Sequence, residues 1–280
     1  ENHMNWRPTW WLTFLAKVWP ITGMSARATQ IPVIGKIFAA SVIPLFSGKN
    51  FNVSYIPVNE ELKSPESIHL PLMVLEELIR RSAHRVTIKR CHCRESNGCK
   101  EFPIENACLH LGQDTKEHAP WIADSLSIED AISHARHMVS LGLTPMIGRV
   151  RMDNILYGVP DRGRLLTVCF CCHCCCTVMS SVRYFPKKAR DCVVRLEGMK
   201  VAVDAEKCRD CRSWECVEGC MMRAYTFEGG VMRHDAGRCK GCGWCVSLCP
   251  HKAIRVEVAD INAAVNELLG RINGFVDYNS

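Results

Sequence analysis

The sequence predicts an α+β protein in which an apolar helical amino-terminal arm precedes a cysteine-rich α/β domain and a smaller carboxy-terminal domain closed by a helix. Three observations carry this. Helical periodicity marks residues 70–84 and 128–139. Two short β-prone runs, Arg85–Ile88 and Leu165–Val168, each feed a Cys-x-Cys. The 19 cysteines of the 280-residue chain fall in three blocks, with none among the first 90 residues. The expected divisions are 1–65 for the arm, 66–198 for the middle domain, 199–259 for the third block and 260–280 for the closing helix.

Four of the seven tryptophans lie within residues 6–19. Trp10, Trp11, Phe14, Leu15, Val18 and Trp19 recur at helical spacing, with Thr9, Thr13 and Lys17 opposite. Such a helix either lies in a membrane interface, through Trp10, Trp11, Phe14 and Trp19, or packs on the rest of the protein or a partner. A second apolar run, Ile31 to Phe46, contains Lys36 and is too short to span a bilayer. Between Leu70 and His84, Leu72, Leu75, Leu78 and Ile79 share a helix face after Pro71. Ser127 and Asp130 form a capping-box-like start to the next helix, Ile128, Ile132, Ala135, Met138 and Val139 its buried stripe, and Gly142 its stop. His134 and His137 sit one turn apart there and read as surface histidines. If the two strands are neighbours, their Cys-x-Cys tips meet.

So much cysteine ordinarily marks a small disulfide-stapled domain. This chain is too long for that class, its cysteines are odd in number, and many are adjacent or one residue apart. Metal is the remaining use. The formal charge of +6 counts every thiol as neutral, whereas metal-bound thiols are thiolates. With 23% charged residues and 48% hydrophobic ones the chain is expected to fold around a core.

The strongest motif is Cys239-x2-Cys242-x2-Cys245-x3-Cys249-Pro250. Three closely spaced thiolates wrap one corner of a four-iron cube, and the fourth, before a proline, reaches another cluster. Zinc needs no trailing Cys-Pro. Upstream lies Cys208-x2-Cys211-x4-Cys216-x3-Cys220. The region from about Lys200 to Val258 resembles a bacterial two-cluster ferredoxin, with Ala224–Phe227 and Gly229–Met232 as its hairpin and Ala253–Val256 as its closing strand. The resemblance implies one [4Fe-4S] cluster on Cys208, Cys211, Cys216 and Cys249, and a second on Cys220, Cys239, Cys242 and Cys245. Met221 stands where the family has proline, and the x4 gap lengthens one loop.

Eleven thiols remain. Cys91, Cys93, Cys99 and Cys108 are enough for a third site. Cys169, Cys171, Cys172, Cys174, Cys175 and Cys176 are too dense for one metal ion and read as a fourth or shared cluster. Four-iron clusters, zinc or mixed metal, and reactive metal-free thiols are the competing assignments, with four-iron clusters expected. His92 and His173 lie inside the motifs as ligands or as hydrogen-bonding tuners of a cluster, and Cys192 reads as a core residue. Over residues 85–258 the chain resembles a set of cysteine-rich four-iron ferredoxin-like proteins of anaerobic bacteria and archaea.

These features predict an iron-sulfur electron-transfer protein that relays single low-potential electrons between a soluble donor and a redox partner enzyme. The alternative is a reductase or reductive activator whose Cys169–Cys176 run acts on a disulfide, a sulfur compound or a metallocofactor. No glycine-rich nucleotide fingerprint follows a strand. With no signal-peptide pattern, an anaerobic cytoplasmic setting is expected, with the arm able to bring the protein to the inner membrane face. Each oxidised four-iron, four-thiolate cluster contributes about −2. Two bring the charge to about +2 and four to about −2, which removes the case for nucleic acid.

Overall fold

A computed structural model describes residues 6–33, 35–37, 40, 43–46, 48–58, 69–209, 211, 213–228 and 231–280. The run Ile31–Phe46 lies partly outside these residues, and so do Gly229 and Gly230. The architecture is α+β. A six-stranded sheet is built from β1 (Phe51–Tyr55), β2 (Arg85–Ile88), β3 (Leu109–Leu111), β4 (Ala123–Ser125), β5 (Thr144–Val150) and β6 (Leu166–Cys171), in the order β1-β5-β6-β3-β2-β4. Two ribbons follow: β7 (Met199–Val203) with β10 (Ile254–Val258), and β8 (Tyr225–Glu228) with β9 (Val231–His234).

All named strand pairs are antiparallel. The middle domain is therefore not the α/β layering read from the sequence. Helix Ile128–Ser140 carries the chain from β4, at one edge, to β5 near the other, so it spans the sheet instead of linking parallel neighbours. Two expected boundaries also move. Residues 51–55, assigned to the arm, form an edge strand paired with β5. The closing helix, Ile261–Asn273, buries Leu268 and Ile272 in the same core as Leu75 and Ile132. Arg271 of that helix donates to Ser54 Oγ at 2.8 Å.

Helices His69–Arg81 and Ile128–Ser140 cover one face of the sheet. Leu75, Leu78, Ile79, Ala135 and Met138 pack there on Leu109, Leu111, Ile147, Leu166 and Val168. Ser127 Oγ accepts from Asp130 N at 3.0 Å, and Gly142 takes a left-handed φ of 82° beyond the helix end, which closes this element as a capped unit. On the other face Val53, Tyr55, Met146, Val150, Met179 and Val182 form a second core.

The arm packs inward. Helices Trp11–Val18 and Pro20–Ala28 bury Leu12, Leu15 and Ala26. Trp11 Nε1 donates to Leu156 O at 2.6 Å, and Trp19 Nε1 to Thr177 Oγ1 at 2.9 Å. Two members of the expected docking face are thus committed to the protein, while Trp10 and Phe14 stay 58% and 44% exposed. Among the described residues no helix is long and apolar enough to cross a membrane.

A chain of polar groups runs beneath the sheet. His84 Nδ1 lies 2.8 Å from Thr115 Oγ1, and His118 Nδ1 lies 2.9 Å from the Thr115 carbonyl, to which it donates. His118 Nε2 then accepts from His110 Nδ1 at 3.0 Å, which leaves the His110 Nε2 lone pair facing Asp153, 3.6 Å away. Burial holds His110 neutral and raises the Asp153 carboxyl to about 7, while Thr167 Oγ1 donates to it at 2.7 Å. A neutral acid facing a neutral imidazole is the consistent arrangement.

Two predictions follow from this packing. Gly148 of β5 has φ of 152°, and a Cβ there would stand 2.0 Å from Asn52 O of β1. Gly148→Ala should therefore cost about 3 kcal/mol in denaturant titrations, and an unchanged midpoint would contradict the close approach. Because its folded carboxyl resists ionisation, Asp153 makes stability fall as pH rises from about 4 to about 7. Asp153→Asn should flatten that part of a melting-temperature profile, and an unchanged slope would place the ionising group elsewhere.

Candidate metal and cluster centres

Strand pleating decides which upstream thiols meet. Successive side chains of β6 point to opposite faces. Leu166, Val168 and Phe170 enter the helix-covered core, as does Cys172 just past the strand. Thr167, Cys169 and Cys171 take the other face, where Cys169 and Cys171 pack with Tyr55, Met146 and Cys176. Pleating thus separates Cys169 and Cys171 from Cys172, and the turn at 173–175 that follows the strand sets the sides of Cys174, Cys175 and Cys176.

On the Cys169 side six thiols gather. Cys108 Sγ lies 3.5 Å from Cys169 Sγ. Cys91 bonds Cys93, Cys169 bonds Cys171, and Cys171 bonds Cys176. The negative charge of Cys176 also acts on Cys93 and joins the two segments. Cys91 is the N-cap residue of the short helix His92–Ser96, and Cys93 lies in its first turn. On the opposite side Cys99, Cys172, Cys174 and Cys175 have all their sulfurs within 4.8 Å of one another. The two groups differ from the sequence expectation in four members: Cys99 joins Cys172, Cys174 and Cys175, while Cys169, Cys171 and Cys176 join Cys91, Cys93 and Cys108. The strands carrying the two Cys-x-Cys tips are separated by β3, yet the tips converge, because Cys108 leads directly into β3.

Arg94 stands between the groups. It is 1% exposed, donates from one terminal nitrogen to Phe170 O at 3.3 Å, and has no partner for Nε or its second terminal nitrogen. After the opposing effect of burial, the charges of Cys91, Cys108, Cys172 and Cys171 raise its pKa. A buried cation with orphan donors is costly unless anionic groups surround it. Composition alone could not reveal this residue; the signal was its place directly after Cys-x-Cys. Most of the metal-free thiols are nevertheless hard to ionise. The Cys93 bond, offset by burial, holds Cys91 down at about 6, whereas burial and the Cys174 charge push Cys172 up to about 12. Metal binding must displace these protons.

Cys91, Cys93, Cys108 and Cys169 open onto a cavity of about 290 Å³. Trp19, Phe46, Phe51 and Phe185 line its far end. His92 also lines it, is 4% exposed, and neither ring nitrogen has a partner; burial lowers its pKa to about 4. His173 lies 3.6 Å from Glu101 and within 4.8 Å of Cys174 Sγ. Cys192 packs in the second core and donates to Phe46 O. His134 is within 3.2 Å of Ala107 O and lies edge-on to Phe170.

The carboxy-terminal module has an internal repeat in its backbone. Short helices Glu215–Glu218 and Trp244–Ser247 each begin from a left-handed residue, Trp214 at φ 54° and Gly243 at φ 81°. Arg223 and Lys252, three residues past Cys220 and Cys249, are left-handed in both halves. Ala224 N donates to Cys220 Sγ at 3.3 Å, and Ala253 N donates to Cys249 Sγ at 3.2 Å. Burial raises Cys216 to about 11, assisted by the charges of Cys249, Cys208 and Cys211. It likewise raises Cys245 to about 12, with Cys239 and Cys220 acting in the same direction. Thiols that interact in fours, each four drawn from both halves, with amides donating to sulfur, suit [4Fe-4S] clusters.

Comparison with known proteins agrees with that chemistry. The 4Fe-4S binding domain family matches residues 232–255. An uncharacterized ferredoxin of Methanocaldococcus jannaschii is 37% identical over 62 residues, 21% of this chain and 97% of that protein. An iron-sulfur protein of Rhodospirillum rubrum is 29% identical over 120 residues, 39% of this chain and 58% of its own length. The thiosulfate reductase electron transfer subunit PhsB of Salmonella typhi is 32% identical over 66 residues, 23% of this chain and 32% of that subunit. The chain spans less than two thirds of these two larger relatives, and no solved structure matches it. With almost the whole of a small ferredoxin matched in its carboxy-terminal part, the chain belongs to the cysteine-rich [4Fe-4S] ferredoxin-like proteins.

Proposed function

We propose that the chain relays single electrons between a soluble donor and a redox partner enzyme. One cluster would be held by Cys208, Cys211, Cys216 and Cys249, and a second by Cys220, Cys239, Cys242 and Cys245. A third would be held by four of Cys91, Cys93, Cys108, Cys169, Cys171 and Cys176. Bound clusters of this kind supply one-electron storage at low potential. The protein holds the sulfurs, donates amides to them, and limits water around them.

The observation that carries the relay is Tyr55. Its hydroxyl lies 3.2 Å from Cys176 Sγ, and its ring meets Trp244 edge-on at 5.9 Å between centroids. Burial raises its pKa, and so do the charges of Cys176, Cys171 and Cys242. One buried side chain thus adjoins the upstream six-thiol group and the carboxy-terminal module together. Thr144 Oγ1, donating to Cys242 O at 3.3 Å, ties the same junction. Relatives whose names describe electron-transfer or iron-sulfur subunits of reductases support a redox enzyme as the partner. Trp10 and Phe14 are the arm's outward aromatics and would contribute to docking on that partner or a membrane face. A reducing, anaerobic cytoplasm is the setting this reading requires.

A second reading, reduction of a small disulfide or sulfur compound, is favoured by the cavity that opens on Cys91, Cys93, Cys108 and Cys169. Optical redox titration separates the two. The relay predicts clusters reduced reversibly and unchanged by added disulfide; a cluster spectrum altered by a small disulfide would support the reductase.

The relay also makes predictions about variants. Cys245→Ala should lower iron by about four per chain, and Cys93→Ala should independently remove the upstream complement. Full iron content in the Cys93 variant would exclude Cys93 as a ligand, and full iron content in single-alanine variants of all six thiols would overturn the upstream cluster. Arg94→Met removes a buried positive charge beside the thiolates and should shift the upstream potential negative by about 60 mV or more, a tenfold change for one electron. An unchanged potential at unchanged iron content would show that the guanidinium does not act on the cluster.

A further inference from the structure

The sulfurs of Cys99, Cys172, Cys174 and Cys175 lie closer together than cluster ligands need to. All four fall within 4.8 Å of one another, with Cys99 to Cys174 at 3.8 Å and Cys174 to Cys175 at 3.4 Å. An ion bound tetrahedrally by thiolates about 2.3 Å away separates its sulfurs by about 3.8 Å. A four-iron cube spreads them further, because each thiolate extends outward from its own iron at a separate corner. The protein contains its own comparison. Among the described residues, no three of the eight carboxy-terminal thiols gather within 4.8 Å, and no three of the six on the Cys169 side do.

We propose that these four thiols hold a single metal ion, zinc or one iron, in a closed tetrahedral site separate from the clusters. All-sulfur tetrahedral coordination selects these two metals, and four protein ligands leave no open position. The role is structural. Cys99 follows the helix His92–Ser96, and the other three ligands follow β6, so the ion staples together segments more than seventy residues apart in sequence. Asn97 Nδ2, 3.5 Å from Cys175 O, and Arg94, donating to Phe170 O at 3.3 Å, also tie these segments, both by long hydrogen bonds. His173, within the ligand run, lies 3.6 Å from Glu101 and edge-on to Phe102, and its ring nitrogen comes within 4.8 Å of Cys174 Sγ but not of all four sulfurs. Cys174 is exposed, which gives an ion from solution a path of entry.

The site is independent of the electron relay, and its test reads metal content instead of activity. Metal analysis should compare anaerobically purified holoprotein with Cys174→Ser and Cys99→Ser, ligands from the two stapled segments. Each variant should lose about one metal ion per chain while cluster iron and cluster absorbance stay constant. Loss of zinc identifies the ion as zinc, and loss of a single iron identifies mononuclear iron. Loss of about four irons, or of no metal, overturns the proposal. X-ray absorption at the zinc edge, or at the iron edge of zinc-free protein, needs no variant. Four sulfurs at about 2.3 Å around a zinc without a neighbouring metal support the site. A zinc-free protein whose iron is all in clusters refutes it.

Discussion

The alternation of side chains along β6 is the constraint on which the rest of the upstream chemistry depends. A strand sends consecutive residues to opposite faces whatever their type. Cys169 and Cys171 therefore join Thr167 on one side, and Phe170 and Cys172 fall on the other. Eight residues holding six cysteines would otherwise present one undivided mass of sulfur. The pleat separates Cys169 and Cys171 from Cys172. The turn at 173–175 leaves Cys174 and Cys175 with Cys172 and returns Cys176 to the Cys169 side, and each site is completed by residues from the loop around the helix His92–Ser96. That helix is short enough for Cys91 and Cys93 to face one group while Cys99, beyond its end, reaches the other.

Bringing so many acids together has a cost, which the environment of Arg94 shows. Burial and neighbouring sulfur hold most of these thiols protonated, and a fully buried guanidinium is left with donors unmatched. Each is unfavourable alone. Both are relieved when metal converts thiols into thiolates around that cation, so metal occupancy and folding should be coupled in this part of the chain. Tyr55 extends the arrangement by filling the space between the upstream sulfur and the module that follows.

Much of the fold was legible. The helix from Ser127 showed its cap, stripe and stop, and β2 matched the expected strand because β-prone residues sat between clear boundaries. The spacing of the eight carboxy-terminal cysteines carried the family. Other features needed three dimensions. Strand order is set by packing, so the insertion of β3 between β2 and β6 left no local signature. The edge strand β1 looked like part of the arm because its partner, β5, is about ninety residues away. The separation of Cys169 and Cys171 from Cys172 was available in principle from the period of two, whereas the sides of Cys175 and Cys176 were not, because a turn at 173–175 breaks that period. The separation was obscured because β6 runs on through Cys169 to Cys171, where the β-prone pattern had seemed to end at Val168.

The central claim is that the upstream sulfur forms two sites divided by the β6 pleat and the turn that follows it. Anomalous X-ray diffraction at the iron and zinc edges of the holoprotein tests it most directly. The account predicts a cluster-sized iron peak on the Cys169 side and a separate single-atom peak among Cys99, Cys172, Cys174 and Cys175. One metal peak ligated by Cys99 together with Cys91, Cys93 and Cys108 would contradict it.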